Sequence, residues 1–203
     1  MAIVLVRHGE TPGNAARVLQ MPDTPLSPRG VAQAERLADR LAARAVSRIL
    51  SSDYTRAQMT AAPLQAATGV ALELDPDLRE RNFGDLRGTA YADLEVDPFA
   101  PDYVPPQGES WEALHARVDR VWARLTATAG REQGDLVVVT HGLVCHSLVS
   151  RHLALDAEAP DRGFGNTSVT LVEPEPPWRV LLRGCTAHLD ASTAHDTRTR
   201  SGL

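Results

Sequence analysis

Two short apolar runs constrain this chain more than any other feature: Ile3-Val4-Leu5-Val6 and Leu136-Val137-Val138-Val139. Runs this brief and rich in β-branched residues read as strands buried on both faces of a parallel sheet. Each run stops at a His-Gly pair, His8-Gly9 after Arg7 and His141-Gly142 after Thr140. The carboxyl ends of parallel strands form the edge where open α/β sheets bind ligands. If both strands lie in one sheet and point the same way, the two histidines meet at that edge.

The remaining chain alternates strand and helix signals and holds no internal repeat. Leu26-Ser27-Pro28 opens a helix, with Ser27 suited to the N-cap and Pro28 to the first helical position. Val31, Ala34, Ala38 and Leu41 give that helix an apolar face. Ile49-Leu50-Ser51 is a short strand, and Ser52-Asp53 is expected to cap the helix carrying Arg56, which Pro63 should bend or shorten. Leu72-Leu74 reads as an edge strand. From Pro76 to Gly108 periodicity is lost and prolines cluster, which marks a long loop of the kind that carries function. Trp111, Leu114, Val118, Val121 and Leu125 form one face of a helix beginning at Ser110, a further helix runs through Leu153, and late strands fall near Val169-Val172 and Val180-Leu182. The pattern is α/β, a single domain over 1–189 followed by a polar, loose tail at 190–203.

Composition excludes several classes. A formal charge of -5 argues against a nucleic-acid binder, and no apolar stretch is long enough to span a bilayer. Cys145 and Cys185 form no metal-type spacing, so reduced thiols and a cytoplasmic location are expected. No metal and no cofactor is expected, and a homodimer is left open.

Several further strings then fall into an order that resembles a known family. Arg7-His8-Gly9-Glu10-Thr11 with Asn14 resembles the signature of the histidine phosphatase superfamily, the phosphoglycerate mutase-like group. Asp23-Thr24-Pro25-Leu26-Ser27, Ser51-Ser52-Asp53-Tyr54-Thr55-Arg56-Ala57, Leu78-Arg79-Glu80-Arg81-Asn82-Phe83-Gly84, Gly108-Glu109-Ser110, His141-Gly142, Asn166-Thr167-Ser168 and Thr186-Ala187-His188 are similar to its later motifs. The resemblance implies a three-layer fold, a mostly parallel central sheet flanked by helices. It also implies phosphoryl transfer through a phosphohistidine.

The residue types suit that chemistry. His8 can act as a nucleophile when one ring nitrogen is unprotonated and the other donates a fixed hydrogen bond. Arg7 and Arg56 offer planar forks for phosphoryl oxygens. Asn14 adds a neutral donor near a helix start, and His141 completes the set beside Gly142. Glu80 is the candidate acid for the leaving oxygen and then the base for water, with Glu10, Glu73, Glu109 and Asp85 as alternatives. Gln20 stands where relatives commonly show glycine at the pocket mouth. Arg81 could contact a substrate carboxylate or second phosphate. His115, His146, His152, Trp111, Trp122 and Cys145 read as packing residues.

The expected activity is metal-independent hydrolysis of a small phosphorylated metabolite. Family mutases resemble one another in a long basic insert after the acid loop. Here no Lys or Arg lies between Thr89 and Gln107, and Asp93, Glu95, Asp97 and Asp102 do. The alternatives are mutase-type transfer, a non-catalytic phosphate-binding domain, and a metal-dependent hydrolase, against which the arginine beside His8 speaks.

Overall fold

The computed structural model describes residues 1–129, 133–155 and 163–189; the expected tail at 190–203 lies outside them. Six strands form one sheet in the order β3-β2-β4-β1-β5-β6. They are β1 (Ile3–Arg7), β2 (Val46–Ser51), β3 (Leu72–Leu74), β4 (Asp135–Thr140), β5 (Val169–Val172) and β6 (Val180–Cys185). The first four run parallel, β5 pairs antiparallel with β1, and β6 pairs antiparallel with β5.

Alternation along the strands builds the three layers. Ile3 and Leu5 of β1 and Leu136 and Val138 of β4 face one side, where they pack with Leu114, Val118, Val121 and Leu125 of α4 (Trp111–Ala129) and Val144 and Leu148 of α5 (Gly142–His152). Val4, Val6, Val137 and Val139 face the other, against Leu37, Ala38 and Leu41 of α2 (Pro28–Ala42) and Ala57, Ala61 and Leu64 of α3 (Thr55–Thr68). Both faces are therefore covered, which is why β1 and β4 read as unbroken apolar runs.

The fold departs from local expectation at two places, Val31 and the cap of α3. Val31 is 39% exposed, and Leu37 takes its place on the buried face of α2. Neither Ser52 nor Asp53 caps α3: the N-cap is Tyr54, without a side-chain bond, and Ser52 Oγ instead accepts from Tyr54 N at 3.3 Å. Pro63 sits inside α3, which runs on to a left-handed Gly69 at its C-cap. An interior proline costs about 3 kcal/mol; burial of Ala57, Ala61 and Leu64 against α2 offsets it. The cap foreseen for α2 is present, Ser27 Oγ accepting from Gly30 N with Pro28 in the first turn. A Cβ at Gly30 would lie 1.9 Å from the Glu10 carbonyl oxygen, so only glycine lets α2 abut the segment after β1.

The stretch from β3 to α4 contains only single 3₁₀ turns, at Pro76–Leu78, Gly84–Leu86 and Tyr91–Asp93. It folds over the carboxyl edge of the sheet. No helix of the described residues is long and apolar enough to cross a membrane.

Candidate active site

The parallel register brings the two histidine motifs together. Arg7 pairs with Thr140 across β1 and β4, and His8 N donates to Thr140 O at 2.9 Å. β2 is the other neighbour of β4, and beyond its end Ser52 N donates to Val139 O at 2.9 Å. Three adjacent strand ends thus place His8, His141 and Ser52 at one edge.

The polypeptide around His8 is held from several directions. Its Nδ1 donates to Gly9 O at 2.7 Å, which fixes the tautomer and leaves Nε2 with its lone pair. Gly9 N donates to Thr60 Oγ1 at 2.9 Å, and Thr60 Oγ1 donates to Arg56 O at 2.7 Å. Asn166 Nδ2 donates to His8 O at 3.0 Å. Burial, then the charges of Arg56 and Arg7, hold the His8 ring well below the ordinary histidine value, so the ring is neutral.

A pocket of about 500 Å³ opens over this edge, lined by Arg7, His8, Asn14, Gln20, Arg56, Glu80 and Arg81, with Tyr54, Phe83, Arg87, Tyr91 and Phe99 among its other walls. Arg7 Nη1 is anchored on Phe164 O at 2.6 Å and Arg56 Nη1 on Met21 O at 3.0 Å. Burial lowers the Arg56 guanidinium to about 10, still charged at neutral pH. Asn14 Oδ1 accepts from Thr11 N at 3.2 Å and from Asn166 Nδ2 at 3.2 Å, which leaves its amide Nδ2 to donate. Gln20 Oε1 accepts from Thr11 Oγ1 at 2.7 Å, so Gln20 braces the loop as well as lining the pocket.

His141 and Gly142 do not line the open pocket. The His141 ring is fully buried beside it, with Nε2 2.8 Å from Ser52 Oγ. Ser52 Oγ also accepts from Tyr54 N; when its own proton goes to His141 Nε2, the ring proton sits on Nδ1. Among the described residues, His141 Nδ1 and Arg56 Nε are buried without a hydrogen-bond partner. An unsatisfied buried polar group costs about 1–3 kcal/mol, and Arg56 is also a lining residue of the pocket.

Of the carboxylates weighed from the sequence, only Glu80 reaches the pocket. Its Oε1 accepts from Arg81 N at 3.0 Å and its Oε2 from Leu143 N, in the first turn of α5, at 3.3 Å. Burial outweighs these bonds and raises its pKa, which favours the protonated form. Glu10 is held by Ser27 Oγ at 2.9 Å and Arg29 at 3.4 Å, Glu73 by Arg48, and Glu109 by Arg117. Asp85 is exposed.

Arg81 has a structural task beside the substrate contact expected of it. It lines the pocket, but its guanidinium donates to three carbonyls, Glu109 O at 3.0 Å, Pro98 O at 2.8 Å and Tyr103 O at 2.6 Å. The same group lies 4.3 Å from the Trp111 ring centroid. Three of its five N–H donors thereby fasten the loop. Two residues not singled out for the site stand in the pocket wall. Tyr54 places its ring edge-on to His141, with centroids 5.3 Å apart, under the Arg56 guanidinium at 5.0 Å. Arg87 donates to Tyr54 Oη at 2.8 Å. The Ser51–Arg56 motif pointed to Tyr54; Arg87 lies in a non-periodic turn and left no comparable mark.

The packing residues behave as expected. His115 Nδ1 pairs with Ser147 Oγ at 2.8 Å, His152 stacks on Trp122 at 5.6 Å, and Cys145 is buried. Among the described residues, no group of three or more His, Cys, Asp or Glu side chains is placed to hold a metal ion.

Two histidines, an arginine from the strand itself and a second from the facing helix thus meet at one sheet edge of an α/β protein. The family model of the histidine phosphatase superfamily (branch 1) matches residues 3–184, and the chain belongs to that superfamily. A "Probable phosphoglycerate mutase GpmB" of Yersinia pestis is 35% identical, over 94% of this chain and 95% of its own. Among solved structures, mycobacterial glucosyl-3-phosphoglycerate phosphatase in complex with VO3 is 30% identical with a TM-score of 0.76, covering 89% of this chain and 97% of that one. Bacillus stearothermophilus YhfR is 29% identical with a TM-score of 0.79, covering 93% and 99%.

Proposed function

We propose that the protein is a phosphatase that hydrolyses a phosphate monoester of a small metabolite through a phosphohistidine on His8. The observation that carries this reading is the His8 Nδ1 bond to Gly9 O, which leaves a neutral Nε2 facing a pocket with Arg7, Arg56 and Glu80. In the first step Nε2 attacks phosphorus, the bond to the ester oxygen breaks, and protonated Glu80 gives that oxygen its proton. In the second, the Glu80 carboxylate takes a proton from water as the water oxygen attacks phosphorus. The P–N bond then breaks, phosphate leaves, and His8 and Glu80 return to their starting forms. Arg7, Arg56, Asn14 and His141 Nδ1 hold the equatorial oxygens, where charge is spread in the transition state.

The loop supports hydrolysis over mutase transfer. Between Thr89 and Gln107 it contributes Tyr91 and Phe99 to the pocket wall and no cation. The relative named as a probable phosphoglycerate mutase favours the other reading. A panel of phosphorylated metabolites separates them. Free phosphate as the main product from a phosphorylated three-carbon acid supports the phosphatase; interconversion of the two monophosphoglycerates with little phosphate released overturns it.

A further inference from the structure

We propose that Arg87 receives a second oxyanion carried by the leaving group, so that the preferred substrates are phosphate esters of acidic alcohols. This rests on reading the pocket as a phosphomonoester site.

Besides Arg7 and Arg56, four arginines border the pocket and the outer groove beside it: Arg79, Arg81, Arg87 and Arg117. Three are already engaged. Arg79 forks onto Asp53, with Nε 2.7 Å from Oδ1. Arg117 forks onto Glu109 at 2.7 and 2.9 Å, and Arg81 fastens the loop through three carbonyls. Arg87 makes one hydrogen bond, to Tyr54 Oη, and among the described residues no carboxylate lies within ion-pair distance of it. Its backbone is nevertheless fixed: Arg87 N donates to Gly84 O at 3.2 Å, Gly88 N to Leu19 O at 2.6 Å, and Leu19 N to Thr89 O at 3.0 Å.

Position adds the direction. Among the described residues, Tyr54, Glu80 and Arg87 alone line both the inner pocket and the outer groove. Glu80 is the group that protonates the leaving oxygen, so the leaving alcohol extends past Glu80 toward that shared boundary. Arg87 stands there, close enough to Arg56 for the two charges to repel. A phosphate dianion offsets Arg7 and Arg56, and Glu80, with both oxygens on backbone amides, makes no ion pair with Arg87. The charge of Arg87 is then unmatched until a second anion enters. A planar fork suits a carboxylate or a phosphate equally.

Binding of phosphonates, which are not turned over, tests this directly. A short phosphonate ending in a carboxylate, its neutral amide and the corresponding bisphosphonate are titrated calorimetrically into wild type, Arg87→Gln and Arg87→Lys. A charge-assisted hydrogen bond is worth about ten- to a hundredfold in affinity. Wild type should therefore bind one or both of the anionic ligands at least about tenfold tighter than the amide. The tighter of the two identifies the carboxylate or phosphate source. Arg87→Gln should level the three ligands, and Arg87→Lys should retain part of the preference. Equal affinity for carboxylate and amide in wild type, or an equal loss for all ligands in Arg87→Gln, overturns the proposal. Failure of wild type to bind vanadate or any phosphonate strikes the phosphatase reading itself, whereas vanadate binding without the preference strikes Arg87 alone.

Discussion

The rings of His8 and His141 lie 5.1 Å apart with their planes inclined by 59°. Two buried imidazoles this close, both facing Arg56, cannot both carry a proton without strong repulsion. His141 is held well below its ordinary value by burial, then by Arg56 and His8. The pair rests neutral, which is what a nucleophile and a donor of fixed tautomer need.

The first prediction concerns His8. His8→Ala should lose turnover while keeping the circular dichroism and melting of a folded chain. Wild type given labelled substrate should yield a phosphoenzyme that survives base and is lost in acid. Substantial steady-state turnover by the folded variant would sink the mechanism.

Stability should follow the same histidines. Their folded pKa values lie below the ordinary 6.5, so between the two values the unfolded chain binds more protons. Stability is then complete above about pH 6.5 and is lost as pH falls. His188, pushed down to about 4 mainly by burial, adds to the same slope. Urea midpoints measured from about pH 7.5 down to about pH 5 should decline, and His8→Asn should decline less steeply. An equally steep decline in the variant would remove His8 from this account.

Glu80 should matter most where the leaving oxygen is basic. Glu80→Gln keeps size and one of the two backbone hydrogen bonds but cannot donate the proton. It should slow the phosphorylation burst from a sugar or glycerate phosphate by about 10²–10⁴-fold, and from p-nitrophenyl phosphate far less. Equal slowing of both bursts would show that Glu80 is not the leaving-group acid.

Arg81 should behave as a fastening and not as a specificity residue. Arg81→Leu leaves three carbonyls without their donor and should cost about 2–4 kcal/mol in denaturant unfolding. It should also speed proteolysis within 94–107. A folded Arg81 variant whose stability is unchanged and whose preference among acidic substrates is altered would return Arg81 to substrate contact.

Activity should survive exhaustive chelation, because the proposed phosphoryl cradle of Arg7, Asn14, Arg56 and His141 uses no metal. Vanadate, a mimic of five-coordinate phosphorus, should inhibit strongly. Activity lost in chelator and restored by one divalent ion would favour metal-assisted hydrolysis instead.

What the sequence disclosed and what it hid divide along physical lines. β1 and β4 were legible because burial on both faces demands continuous apolar residues, and their ends then located His8 and His141. Ser27 and Pro28 were legible because a helix start has its own chemistry. Pro63 did not end α3, because propensity is local, whereas the packing of α3 on α2 is not. Val31 misled because apolar spacing alone does not say which of Val31 and Leu37 turns inward. The choice between Arg81 and Arg87 was hidden for a different reason. Both lie in a stretch of single 3₁₀ turns, around Gly84 at φ +52 with its Cβ position 1.9 Å from Pro106 O. No period predicts which way a side chain points there.

The fastening made by Arg81 reaches main-chain carbonyls at Pro98, Tyr103 and Glu109. Every residue type supplies a carbonyl, so this clasp does not read the side chains of the loop it holds. Replacing those side chains leaves the clasp intact, while Phe99 and Tyr91 still face the pocket. The molecule thus separates a fixed chemical end, bolted to the sheet, from an interchangeable recognition end. A descendant chain can acquire a new substrate by redrafting the loop without reopening the question of how phosphorus is attacked.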